Sequence, residues 1–536
     1  MHGFSFRHTV GDRRLLRLGA AAGLWAVSVT CSEPTGPGEP PPFQDPRRVL
    51  LWIYATGVYL EPGEVLQFGF TIYDLSSSPP RLITYPPFGS YDPWPAGYRF
   101  AWWSSKNKVA TVDQQGLIRA ISPGRATIWV QVEGGRDSAT IVVSRAAGSA
   151  SGLAYQDVRP VHNRTCAIDT EGIAYCWGSD LDGTLGRLVP RAFTLGAAPS
   201  PIAGGHRFSA APVGFDHACA IDLQGQAWCW GRNHLGQLGV GEPTEPFGFA
   251  YQGSPVPVRG NLRFVTLAGA AQSTCGLDGA GEAYCWGSNY FGELGIGSFA
   301  PPPVRDFRAE PVKVTGGLRF ALLEAGTFHV CGLTVQGVAY CWGNNSAGQV
   351  GSDSVERCMQ LCRTAPDSVR TELRFTNLAL GGRHTCGVVV GGDVYCWGAN
   401  GSGQLGSTAV TSFSSRPVKV DADVKFTSIA AGGNNTCGLT NDGTAFCWGD
   451  NSLGQLGNGT RGGLEPNPIP QHVVGNLKFK RLGVGGGHVC GIALDGWVYC
   501  WGDARRGQLG YGKIGPPNAA IIEVQPRPVP VAKPII

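Results

Sequence analysis

Seven copies of one cysteine-centred unit run through most of the chain. Their first cysteines are Cys166, Cys219, Cys275, Cys331, Cys386, Cys437 and Cys490, separated by 53, 56, 56, 55, 51 and 53 residues. Each has a second cysteine ten residues on: Cys176, Cys229, Cys285, Cys341, Cys396, Cys447 and Cys500. Trp-Gly follows every second cysteine, from Trp177-Gly178 to Trp501-Gly502, and then a Gly-x-Leu/Val-Gly turn such as Gly454-Gln455-Leu456-Gly457. An aromatic stands eleven residues before each first cysteine: Tyr155, Phe208, Phe264, Phe320, Phe375, Phe426 and Phe479. A unit repeated this regularly is a supersecondary element that buries its faces against its neighbours.

The spacing inside the unit describes a β-hairpin. Glycine lies six residues after every first cysteine, as Gly443 does after Cys437. A three-residue hairpin loop needs a left-handed residue at its third position, which glycine adopts without steric cost. That loop sets the two cysteines opposite each other, at a separation a disulfide can span. The same register sets Gly438 against Phe446, and the expectation is that this ring covers the bare glycine backbone. Leu439 meets Ala445 on the other face, so both faces are apolar, as between packed neighbours.

Cysteine usage places the chain in an oxidising compartment. Of 17 cysteines, 14 fall in the seven pairs. Cys358 and Cys362 make an eighth pair, read as a loop disulfide rather than metal ligands because no histidine accompanies them. Cys31 is left alone. Before it, Arg7, Arg13, Arg14 and Arg17 precede an apolar run from Leu18 to Val29, too short for a comfortable membrane span. Residues 1–31 therefore read as a signal peptide. Ser28-Val29-Thr30-Cys31 is an imperfect lipobox with Cys31 as the lipidated residue. Residues 32–45, with Pro40-Pro41-Pro42, read as an extended spacer.

Residues 46–145 form a second unit. Val49, Leu51 and Ile53 alternate as in a strand, as do Leu66, Phe68 and Phe70. Later come Trp103-Ser104-Ser105, Val109-Ala110-Thr111-Val112-Asp113 and Gly124-Arg125-Ala126-Thr127-Ile128. This run resembles the group 2 bacterial immunoglobulin-like domain, which implies a β-sandwich of the kind found in surface proteins. Pro79, Pro80, Pro86, Pro87, Pro93 and Pro95 mark residues 77–98 as a loop insertion. A small-residue linker, 146–152, follows.

Across 153–536 the pattern His-x-Cys…Gly-x-x-Tyr-Cys-Trp-Gly…Gly-Gln-Leu-Gly resembles the regulator of chromosome condensation repeat. His384 to Gly406 and His488 to Gly510 carry it most fully. The resemblance implies an all-β, seven-bladed propeller with four strands per blade, after the N-terminal immunoglobulin-like sandwich. The hairpin cysteines mark exported bacterial relatives. A strand ending in valine precedes most of the aromatics, as Val258 precedes Phe264, but none precedes Tyr155. The expectation is that Val529 to Val531 pairs into the first blade and clasps the ring.

These features favour an exported, lipid-anchored envelope protein that binds a protein or a cell-surface glycan as a monomer. Its membrane contact is confined to the lipid anchor. The segments after each Gly-Gln-Leu-Gly turn vary most and carry Phe247, Phe249, Tyr251, Phe299, Phe307 and Phe413, the candidate binding face. The alternative is an enzyme, of hydrolase or lyase type, with a site on that face. Its obvious candidates, His217, His329, His384 and His488, recur with the repeat and are replaced by Arg164, Ser273 and Asn435 in the other copies. That tolerance favours a structural bond within each blade. No nucleophile motif, carboxylate pair, metal-ligand spacing or cofactor motif stands out. Export also separates the chain from cytosolic GTPases, which argues against nucleotide exchange. A net charge of +4 over 536 residues, without a basic stripe, gives no support to nucleic-acid binding.

Overall fold

The computed structural model describes strands between residues 49 and 85, then residues 100–143 and 154–532. Gaps fall at 115, 123, 133–134, 181–182, 187–194, 242–250, 301–303, 305, 354–355, 463–464 and 512–523. The leader, Cys31 and the proline-rich spacer lie outside the described residues. The chain divides into two units after Ala146.

The N-terminal unit is all β. Gly124–Val132 pairs along its length with Gly135–Val143, and Phe100–Ser104 pairs on its other edge. Trp102, Ala110, Ile118, Ala126, Ile128 and Val130 are buried, and Trp103 stacks on Trp129. One expectation is corrected here. Arg81–Tyr85, inside the stretch read as a loop, is a strand paired with Phe70–Asp74. The prolines flank these five residues without entering them, and Ile83, Thr84 and Tyr85 favour extended backbone.

The second unit is a seven-bladed propeller. In the first blade, Tyr155–Val161, Arg164–Asp169, Ala174–Ser179 and Leu195–Pro201 pair in chain order. The last blade repeats this with Phe479–Val484, His488–Ala493, Val498–Asp503 and Val524–Pro530. First strands line the central channel, and fourth strands form the outside. The second blade departs from the pattern. Its inner segment makes only two isolated bridges, Phe208 to Asp222 and Val213 to Cys219.

The closing clasp expected from the sequence does not form. Cys500 pairs with Val529 and Tyr499 with Pro530, so the C-terminal strand is the last blade's own outer strand. The valine-ended strand before each aromatic belongs to the preceding blade. Val258 bonds Ala227, Val314 bonds Ala283 and Val531 bonds Val498 through the same backbone contact. The terminal strand is therefore the seventh of seven, and the first blade has its own in Leu195–Pro201.

Each cysteine pair sits at directly opposed positions of its hairpin, with Cα atoms 4.0–4.1 Å apart, and is joined as a disulfide. The hairpin glycine, such as Gly443 at φ 79°, is left-handed in every blade. Gly438 pairs with Phe446, but the ring that covers it is Phe426, two residues before the first strand of the same blade, Ser428–Gly432. A methyl group on Gly438 would lie 2.5 Å from that ring. This arrangement recurs at Gly276, Gly332, Gly387 and Gly491. The aromatic eleven residues upstream is thus the lid of its own hairpin.

Blades are joined by two repeated contacts. The first-strand aromatic donates its N–H to the hairpin glycine carbonyl of the preceding blade, as Phe479 does to Gly443 at 2.8 Å. At the other end, the buried Trp of each Cys-Trp-Gly lies against the last glycine of the preceding blade's Gly-x-Leu/Val-Gly turn. In most blades its indole N–H also donates to a carbonyl of that turn, as Trp501 does to Gln455 at 3.0 Å. A methyl group on Gly457 would lie 2.7 Å from Trp501 Nε1, which explains why glycine is needed there. The ring closes through the same joint. Trp177 donates to Gln508 at 3.0 Å and covers Gly510, while Tyr155 reaches Gly496 across a longer 3.4 Å.

Candidate functional site

Strands alternate in direction, so the turn after each first strand and the loop after each third strand emerge on one face, the loop face. Tyr251 begins an outer strand opposite Arg232 at the end of a third strand. Phe307 opposite Ser288 and Phe413 opposite Ala399 occupy the same register position in their own blades. The fold therefore brings these three candidates to equivalent places on the rim of blades two, three and five. Phe413 and Tyr251 are 59% and 39% exposed, and Phe307 is half-buried. Phe299 is half-buried in the loop leading to Phe307, and Phe247 and Phe249 lie outside the described residues.

Blade four fills the gap in the row differently. Its register position holds Cys362, buried and bonded to Cys358. The short hairpin of Glu356–Arg357 with Leu361–Ser368 is pinned by that disulfide. It presents Met359 and Leu361, 53% and 38% exposed. Met359 donates its N–H to the Tyr290 carbonyl of blade three, and Phe291 packs on Phe328 at 4.8 Å. Four consecutive blades thus carry apolar side chains along one rim. The sequence places the variable segment from Ser352 to Ser368 on this face, but the candidate residues it offers are all aromatics and leave out Met359 and Leu361. The signal was the Met-Gln-Leu run between two cysteines in a variable loop.

The recurring histidines are not at the rim. His217, His329, His384 and His488 are buried, and each bonds the threonine before the first cysteine of the next blade. His488 Nε2 lies 2.7 Å from Thr165 Oγ1, His217 2.5 Å from Thr274, His329 2.9 Å from Thr385 and His384 2.9 Å from Thr436. The bond therefore runs between blades, not within each one as expected. Thr165, Thr385 and Thr436 give their hydroxyl protons to the turn carbonyls of Gln508, Gln349 and Gln404. In those three joints the histidine must donate from Nε2. Nδ1 is left without a hydrogen-bond partner in all four histidines. Burial holds His217 and His329 down at about 3 and His384 and His488 at about 4. A neutral imidazole with one proton committed to a joint and no path to solvent is not poised for acid–base catalysis.

Where the histidine is absent, so is the next blade's threonine: Arg164, Ser273 and Asn435 are followed by Ala218, Val330 and Val489. That correspondence was visible in the sequence and would have placed the bond between blades. Arg164 has a separate task. Its buried guanidinium donates to the carbonyls of Gly214, Phe215 and His217 at 2.5–2.8 Å, bracing the second blade where its inner strand is missing. Burial lowers its pKa to about 10. Among the described residues no group of three or more His, Cys, Asp or Glu side chains is arranged to hold a metal ion.

Comparison with known proteins agrees with this architecture. Two models of the regulator of chromosome condensation (RCC1) repeat match, one at residues 280–333, 336–388, 391–439 and 442–492. The other matches at 210–237, 321–349, 375–404 and 426–455. The group 2 bacterial Ig-like domain matches residues 92–143. The ultraviolet-B receptor UVR8 of Arabidopsis thaliana is 27% identical over 66% of this chain and 77% of its own length. The human E3 ubiquitin-protein ligase HERC2 is 28% identical over 54% of this chain but only 6% of its own length. Among solved structures, human WBSCR16 superposes with a TM-score of 0.58 at 20% identity, covering 67% of this chain and 94% of that one. Prp20p of Saccharomyces cerevisiae, studied with Gsp1p and histones, gives 0.56 at 23% identity, covering 71% and 87%. These likenesses establish the shared propeller fold.

Proposed function

From the premise that this chain is a protein of RCC1 repeats built as a seven-bladed propeller, we propose that it is a binding protein. It holds another macromolecule, a protein or a surface glycan, on the loop face of blades two to five. The observation that carries this reading is the row of Tyr251, Phe307, Met359, Leu361 and Phe413 on one rim. Exposed apolar side chains grouped on a rigid scaffold mark interaction surfaces, and scattered ones do not. The joints beneath this rim are buried, bonded and repeated, so the surface is preorganised.

Export and lipid anchoring at Cys31 belong to the same proposal. Eight disulfides require an oxidising compartment, and the basic start, apolar run and proline-rich spacer fit a tethered envelope protein acting as a monomer. Two experiments test the proposal. Full-length protein and a Tyr251→Ala/Phe413→Ala variant are compared as baits against the envelope fraction of a producing cell. A ligand held equally by both excludes this rim. Separately, Cys31→Ser is fractionated. If the variant is processed normally and stays with the membrane, Cys31 is not the anchor.

A further inference from the structure

The central channel has a volume of about 340 Å³, within the range of small-molecule sites. Its wall is set by the first strands, and at one level every lining residue lies opposite a first cysteine. Five of the seven residues there are small or of modest size: Val213, Ala268, Ala379, Ala430 and Gly483. The other two are Arg159, opposite Cys166, and Glu324, opposite Cys331. Glu324 stands on the fourth blade, three blades from the first and three from the last, so it faces the seam between them.

That seam carries a second guanidinium. Asp157 accepts from Arg159 Nε at 3.4 Å and pairs with Arg481 Nε at 2.6 Å, while the Ala211 N–H donates to it at 3.1 Å. Both arginines thus engage one shared carboxylate through Nε. Their terminal nitrogens make no hydrogen bond among the described residues, and both side chains line the channel and stay partly exposed. Glu324 has no hydrogen-bond or ion-pair partner there either. Burial pushes its carboxyl up, and the fields of Arg159 and Arg481 pull it back, so the groups sense one another across the channel. A structural brace would bring these charges into contact. Here they stand apart, with the wall between them reduced mostly to alanine and glycine.

We propose that the channel is a binding site for a small zwitterion of the amino-acid class. Its carboxylate would take the free N–H forks of Arg159 and Arg481, and its ammonium group would take Glu324. Guanidinium pairs suit a planar carboxylate, and a lone carboxylate in a partly desolvated wall suits a cation. This site is independent of the loop-face rim and does not rest on the macromolecular partner.

The test is calorimetric titration of the full chain with zwitterions of increasing charge separation: glycine, β-alanine, γ-aminobutyrate and 6-aminohexanoate. Butyrate and butylamine serve as single-charge controls. One zwitterion is expected to bind saturably and more tightly than either control. Glu324→Gln, which breaks no contact, should melt like the parent and weaken that zwitterion about tenfold or more. Arg481→Gln should weaken it similarly. Absence of saturable binding by every zwitterion, equal binding of butyrate, or unchanged affinity in Glu324→Gln overturns the proposal. A large fall in melting temperature for Glu324→Gln without binding by the parent assigns the charges to a cross-channel brace instead.

Discussion

His488 of the last blade lies 2.7 Å from Thr165 of the first, and that bond closes the ring with the contact used at three other joints. Thr165 in turn donates to Gln508, whose carbonyl also receives the Trp177 indole N–H. Removing the imbricated partners separately and together measures what the seam contributes. His488→Ala should cost about 2–3 kcal/mol, from a lost buried hydrogen bond and the space left behind. Thr165→Val should cost less, and the double variant should show a coupling of about 1 kcal/mol. Equilibrium unfolding checks this, and additive losses would mean that the two side chains do not interact energetically.

Acid should loosen the ring through the same joints. His217, His329, His384 and His488 hold folded-state pKa values of about 3 to 4, below the 6.5 of an unfolded histidine. Between those limits the unfolded chain binds more protons, so stability is full above pH 6.5 and is lost as the pH falls towards 4. Each histidine contributes about 2–3 kcal/mol to that loss by pH 4.5. Glu293 and Glu324 work in the opposite direction, because burial raises their carboxyls, but they are two groups against four. Melting curves from pH 7.5 to 4.5 should fall steeply, and a His384→Gln variant should have a shallower slope. A flat profile would show that these histidines stay accessible to protons.

Arg164 offers a sharper test of how the irregular second blade survives. It supplies donors to three carbonyls that an ordinary inner strand would leave to its neighbours. Arg164→Ala should cost about 3 kcal/mol or more, since buried acceptors would lose their donors. Arg164→Lys should recover only part of this, because an ammonium cannot fork to three carbonyls with the same geometry. Thermal unfolding of the two variants separates these outcomes. An alanine variant as stable as the parent would mean that water replaces the guanidinium.

The disulfide hairpins were legible in the sequence because spacing and register are local. Ten residues with a left-handed glycine leave little freedom, and Cys437 does meet Cys447 at an opposed pair. Contacts beyond the hairpin were harder to read. The aromatic at Phe426 lies twelve residues from the glycine it covers, and that separation crosses a strand turn that a pairwise hairpin argument does not follow. Valine-ended strands were visible, but whether each belongs to the blade before or after it depends on pairing across a long loop. The rim was partly legible. Tyr251, Phe307 and Phe413 were picked out as aromatics in variable loops, while their shared position emerges only from the outer-strand register. Arg159 and Glu324 were hidden because neither belongs to the repeated motif; only closure of the ring sets one opposite the other.

The C-terminal strand still matters, for a reason different from the clasp its sequence suggested. Val524–Pro530 covers the open edge of Val498–Asp503, and Val531 is buried beside Tyr155 and Trp177 at the seam. Val531 donates to Val498 at 2.9 Å and Ala532 to Gly510 at 2.8 Å, which holds the turn that Trp177 covers. Deleting residues 527–536 should therefore lower the melting temperature and promote aggregation, since it uncovers a strand edge and an apolar seam together. The order of damage distinguishes the two accounts. With the observed pairing, hydrogen-exchange protection should fall first over Val498–Asp503, and Tyr155–Val161 should stay paired with Arg164–Asp169. Protection lost first at Tyr155–Val161 would return the terminal strand to the first blade, and a truncated chain that melts like the full one would show that the seam holds without it.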